Sequence, residues 1–145
     1  MRKFSLIMML VFALVLVLAA CGGGGGGNEA EESSGGEEAA ASGDAARGEE
    51  LYLQTVIGDA SAPGCTTCHS LEPDVVLVGP SHHGMGQSAV GVVAGLSAEE
   101  YLEQSIREPN AHITDGYTEG GMYQFYDNDL SDQEINDLVA FLMTQ

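Results

Sequence analysis

Apolar positions along the chain fall into two regimes. Residues 4 to 18, Phe4 through Leu18, form one nearly unbroken apolar run behind Arg2 and Lys3. After residue 44 the apolar side chains recur at three- and four-residue spacing, the period of an amphipathic helix, and no long period-2 run marks a strand. The first helix is expected to open near Asp44 and run to Leu53, with Gly48 and Tyr52 one turn apart. Ser97-Ala98-Glu99-Glu100 and Ser131-Asp132-Gln133-Glu134 are capping boxes, each flanked by a hydrophobic pair, Leu96 with Tyr101 and Leu130 with Ile135. The helix after Ser97 should turn Leu102, Ser105 and Ile106 inward and stop before Pro109. The helix after Ser131 should bury Ile135, Leu138, Val139 and Leu142 and run to the carboxyl end. A shorter helix is expected between Gln87 and Ala94. The fold class is therefore all-α, with little or no sheet.

The apolar run is too short and too early for a membrane span, and it reads as an export leader. It ends in Leu18-Ala19-Ala20-Cys21, which resembles the lipobox of bacterial lipoproteins. That resemblance implies a signal peptide over 1–20 and lipid attachment at Cys21, hence an extracytoplasmic protein held on the membrane; the competing reading is an uncleaved anchor helix. Residues 21–43 are, apart from Cys21 and Asn28, glycine, serine, alanine and glutamate with almost nothing to bury, a disordered tether of at most about 75 Å when stretched. Residues 44–145 suffice for one small domain.

Cys65-Thr66-Thr67-Cys68-His69 carries the chemistry. Two thiols three positions apart followed by an imidazole form the attachment signature of c-type haem: the thiols add to the two vinyl groups and His69 lies beneath the iron as proximal ligand. A disulfide would leave His69 unexplained. A zinc site from Cys65, Cys68, His82 and His83 lacks a second pair at ribbon spacing, and a thioredoxin-like pair lacks its strand-helix-strand setting. With Cys21 lipidated and two cysteines on one covalent haem c, all three cysteines are used.

Beyond the tether the chain resembles the class I cytochrome c family, in the bacterial monohaem forms fused to or associated with terminal oxidases and quinol-oxidising complexes. The resemblance rests on Gly48 and Tyr52 facing Leu138 and Phe141, on Gly79-Pro80 after the haem motif, and on the segment from Tyr101 through Pro109-Asn110-Ala111-His112-Ile113 and Gly116-Tyr117 to Met122. It implies three to five helices around the haem, with the Pro80 carbonyl accepting the Nδ1–H of His69. It also implies Met122 as the distal ligand, although Tyr123 stands where the family commonly has proline. Met85, His82 and His83 remain rivals for that position, whereas Met143 reads as core and His112 as a loop residue. Tyr117, Tyr123 and Tyr126 could line the distal pocket, and Arg107 is a candidate partner for a haem propionate or for its own helix end.

Charge narrows the partners. The formal net charge is −18, and loss of Arg2 and Lys3 with the leader leaves 2 basic side chains against 22 acidic ones. Nucleic acid is excluded. Asp115, Glu119, Asp127, Asp129 and Asp132 flank the Met122 loop and would steer a redox partner with a basic docking surface. The expected function is a membrane-anchored electron carrier rather than an enzyme. The alternatives are a fixed subunit of a larger respiratory complex and a haem-based sensor of small ligands.

Overall fold

The computed structural model describes residues 42–145; the leader, Cys21 and most of the tether lie outside them. Asp44 sits in extended backbone and its carboxylate accepts from the N–H groups of Ala46 and Arg47, capping α1 (Ala45–Tyr52). The chain then makes a two-residue antiparallel bridge between β1 (Val56–Ile57) and β2 (Ala62–Pro63), with Val56 opposite Pro63 and Ile57 opposite Ala62. Ile57 and Ala62 point into the core. A short 3₁₀ turn over Cys65–Thr67 follows, and then a long loop to α2 (Met85–Ser88).

The helix expected over Gln87–Ala94 is displaced: α2 is four residues long and shares only Gln87 and Ser88 with the expectation. Gly91 and Gly95, at φ 74° and 91°, take the left-handed conformation that a right-handed helix cannot continue through. Both capping boxes form as read. Ser97 accepts from Glu100 N–H while the Glu100 carboxylate accepts from Ser97 N–H, opening α3 (Ala98–Arg107), and Ser131 with Glu134 does the same for α5 (Asp132–Leu142). Between them lies α4 (Tyr126–Asp129), a single turn with no start signal in the sequence. Helix α5 ends at Leu142 rather than at the carboxyl terminus.

The core lies where α1 crosses α5 and α3 packs alongside. The crossing is close because Gly48 has no side chain: a Cβ there would strike the Asp137 carbonyl. Tyr52 and Ile135 are fully buried, each contributing about 1.5–3 kcal/mol by removal from water. Tyr52 meets the Phe141 ring at a centroid distance of 5.1 Å. One buried residue breaks the apolar pattern. Asp137, 4 % exposed on α5, accepts from Asp44 N–H at 2.7 Å, from Arg47 Nε and NH2 at 2.8 and 3.0 Å, and from Gln133 Nε2 at 2.8 Å. It fastens the first helix to the last. No helix among the described residues is long and apolar enough to cross a membrane.

Candidate haem site

The turn that carries the cysteines is built by short-range hydrogen bonds. Gly64 N–H donates to the Thr55 carbonyl, and a Cβ on Gly64 would collide with the Gln54 carbonyl, so the segment presses against the end of α1. Cys68 N–H and His69 N–H both donate to the Cys65 carbonyl, at 3.1 and 2.9 Å, and Thr67 Oγ1 donates to Gly64 O at 2.6 Å. One helical turn thus gathers positions 65, 68 and 69 on one side. All three line a cavity of about 390 Å³, within the size range of small-ligand and cofactor sites. Its other walls include Leu102, Ile106, Tyr126 and Leu138, from α3, α4 and α5.

His69 is oriented by a single acceptor. Its Nδ1 lies 2.8 Å from the Pro80 carbonyl, which can only accept, so Nδ1 carries the proton and Nε2 is left with a lone pair and no protein partner. Burial lowers the imidazole pKa against the opposing pull of Pro80, which keeps the ring neutral and able to ligate. Gly79 makes room for it, since a Cβ at that position would run into the imidazole.

Neither Cys65 nor Cys68 is in a disulfide. Burial pushes the Cys65 thiol up to about 11, the opposite of the depressed value a nucleophilic or metal-binding thiolate needs. A thioether has no charge to desolvate, so these surroundings suit attachment. Among the described residues no three His, Cys, Asp or Glu side chains are grouped to hold a metal ion, which argues against the zinc reading. The donor set, the apolar walls and the oriented imidazole together fit a covalent haem.

Residues 45–145 match the family model for cytochrome c. The chain belongs to the cytochrome c family. No curated protein and no solved structure matches it. A cytochrome c domain of this class binds one covalent haem c, carries electrons to and from redox partner proteins, and typically works outside the cytoplasm.

In this cytochrome c the cavity collects Pro80, Tyr117, Tyr123, Tyr126, Met85 and Met122 beside the Cys65–His69 turn. The loop bearing Met122 is held by bonds that sequence reading missed. Gln124 Nε2 donates to the Met122 carbonyl at 2.6 Å, and Gly120 N–H donates to Asn110 Oδ1 at 2.9 Å. The Tyr126 hydroxyl donates to the Pro63 carbonyl, and that of Tyr123 to Asp129 Oδ2, both at 2.6 Å. These two hydroxyls are committed to protein partners, which leaves Tyr101 and Tyr117, both in the cavity lining, as the tyrosines whose hydroxyls face no such commitment among the described contacts.

Two candidates, Arg107 and His83, lie elsewhere, as does His112, which the sequence marked as a loop residue. Arg107, read as a propionate partner, does not line the cavity. Its guanidinium meets Glu103, Asp127 and Asp132 at 2.6–2.8 Å; burial alone would lower its pKa, but those carboxylates outweigh it and raise it. Glu103 is one helical turn away, and α4 and α5 bring two more acids to the same spot. His83 is exposed, and His112 packs edge-on against the Tyr101 ring at 5.8 Å. His82 lines the cavity but lies face to face on His69, with ring centroids 3.9 Å apart and planes 19° apart.

Proposed function

We propose that this protein is a membrane-anchored monohaem electron carrier, attached through Cys65 and Cys68 and ligated by His69 and Met122. The observation that carries the reading is the cavity in which an imidazole oriented by Pro80 shares the lining with two unpaired cysteines and with Met122. Haem held there supplies a one-electron couple, and a thioether ligand favours the reduced state relative to a second histidine. With both axial positions filled, the chain's own task is to hold the ligands, exclude water and present the site to partners.

The acidic surface supports a partner with a basic docking face. Of the five acids near the Met122 loop, Asp127 and Asp132 share the single positive charge of Arg107 with Glu103, and Asp129 accepts from the neutral Tyr123 hydroxyl and keeps its charge, so the group stays strongly negative, with Asp115 and Glu119 exposed and without an ion pair among the described residues. Their pull on a partner should weaken as ionic strength shortens the Debye length. Anchoring rests on the leader and the Leu18–Cys21 pattern.

Met122→Ala tests the ligand set. It should remove the long-wavelength ferric absorption of an iron–sulfur bond, lower the reduction potential by on the order of 100 mV within the roughly 0.8 V range that axial ligands span, and admit carbon monoxide to the reduced iron. Met85→Ala should leave all three unchanged. The reverse pattern would overturn the assignment.

A further inference from the structure

The side chain stacked on His69 has no place in the ligand set just described. His82 is flat against the proximal imidazole, and its own position is fixed twice. Its backbone N–H donates to the Ser70 carbonyl at 2.8 Å, and its Nδ1 shares a 3.1 Å hydrogen bond with the hydroxyl of Tyr52. Tyr52 is in turn fully buried and braced against Phe141 on α5. A continuous line of packed and hydrogen-bonded rings therefore runs from the α1–α5 crossing to the proximal ligand.

The Nδ1–H bond from His69 to Pro80 fixes where one ring atom points, yet a single hydrogen bond still lets the imidazole rock about its own axis. A second flat ring at stacking distance removes that freedom. An aliphatic side chain at position 82 could fill the volume, but it would offer no plane and would leave the buried Tyr52 hydroxyl without its partner.

We propose that His82 is a positioning residue: held by Tyr52, it sets the plane of the His69 imidazole and thereby the electronic asymmetry and potential of the bound iron. The proposal rests on His69 being an iron ligand. It needs no iron contact from His82 itself.

The test uses the full-length protein with its covalent haem, comparing His82→Leu, His82→Phe, Tyr52→Phe and, as a surface control, His83→Leu. The readouts are the haem-methyl resonances of the ferric protein, the reduction potential and thermal unfolding. His82→Leu should rearrange the methyl pattern and change the ferric-to-ferrous equilibrium constant by roughly threefold or more, approaching the about 10- to 100-fold effects of losing other ligand-supporting partners. His82→Phe, which restores a flat ring but not the bond to Tyr52, should bring the methyl pattern back to about that of Tyr52→Phe. Tyr52→Phe should move it in the same direction as His82→Leu but less, and His83→Leu should not move it.

A His82→Leu protein that melts earlier but keeps the wild-type methyl pattern and potential would reduce His82 to packing and overturn the proposal. So would a His82→Leu protein with an axial ligand missing, since His82 would then be a ligand itself. If His82→Leu does not accumulate, an unchanged pattern in Tyr52→Phe is equally decisive. Failure of the parent reading is distinguishable, because His69→Ala would then retain the wild-type axial signature.

Discussion

Asp137→Ala should cost this domain about 3 kcal/mol, and the structure says where that energy resides. Four donor contacts converge on the carboxylate. The Arg47 side chain is 56 % exposed and rehydrates when its partner is removed, which limits the loss on its side. Gln133 adds about 0.5–1 kcal/mol as a neutral donor, and the Asp44 N–H, pinned at the start of α1 against a charged acceptor, adds about 1.5–3 kcal/mol. At about 4–8 °C per kcal/mol for a domain of this size, the melting temperature of the haem-loaded protein should fall by roughly 12–24 °C.

Calorimetry or haem-band melting reads the shift, and a double-mutant cycle with Arg47→Ala apportions it. The coupling should fall well short of the full Asp137→Ala loss, because the exposed guanidinium regains water. A pH series adds an independent check. Arg47 chiefly, with help from Asp44 N–H and against the cost of burial, holds the Asp137 carboxyl down at about 2. The unfolded chain therefore binds the proton first, so this contribution is complete above about pH 4 and is lost as pH falls toward 2, worth about 2 kcal/mol in all. Asp137→Asn should flatten that acid limb. An Asp137→Ala protein within about 0.5 kcal/mol of wild type, the range of an ordinary surface change, would refute the reasoning.

Three further outcomes follow from the same contacts and from the cysteine pattern. Gly48→Ala should destabilise by about 2–3 kcal/mol in thermal unfolding, because the new Cβ meets the Asp137 carbonyl rather than a side chain that can swing away. Cys65→Ala with Cys68→Ala should abolish haem that survives a denaturing gel, and a full haem complement in that variant would remove the basis for covalent attachment. Cys21→Ala should yield an uncleaved precursor or a released soluble form, and mass spectrometry finding an unmodified Cys21 in the native membrane-bound protein would reject the lipid anchor.

What could be read along the chain was what is decided within a few residues. The Ser97 and Ser131 boxes close over four positions, so their spacing alone predicts α3 and α5. The gathering of Cys65, Cys68 and His69 onto one face needs a single turn. Asp137 escaped because an acid in a helix reads as the solvent side until its distant partners at positions 44 and 47 are known. Helix α4 and the Val56–Ile57/Ala62–Pro63 bridge are too short to leave a periodic trace, and contacts such as Tyr126 to Pro63 stabilise them from 63 positions away. The ion pairs of Arg107 were out of reach for a related reason: they depend on Asp127 and Asp132, which the fold, not the local sequence, delivers.

The residues that fasten α1 to α5 and the residues that shape the haem site are mechanically one system. Gly48 permits the close crossing and Asp137 locks it, and one turn beyond Gly48 that same crossing buries Tyr52 against Phe141. Tyr52 then reaches His82, and His82 lies on His69. A change at the crossing should therefore reach the proximal ligand, whereas the Met122 side is fastened separately by Gln124, Asn110 and the Tyr126–Pro63 bond. Mild damage to the α1–α5 contact should accordingly disturb the proximal imidazole while leaving the iron–sulfur absorption in place. Damage at Asn110 or Gln124 should do the opposite. On the proposed ligation by His69 and Met122, the two sides of the iron would be held by different contacts, so each could be perturbed without the other.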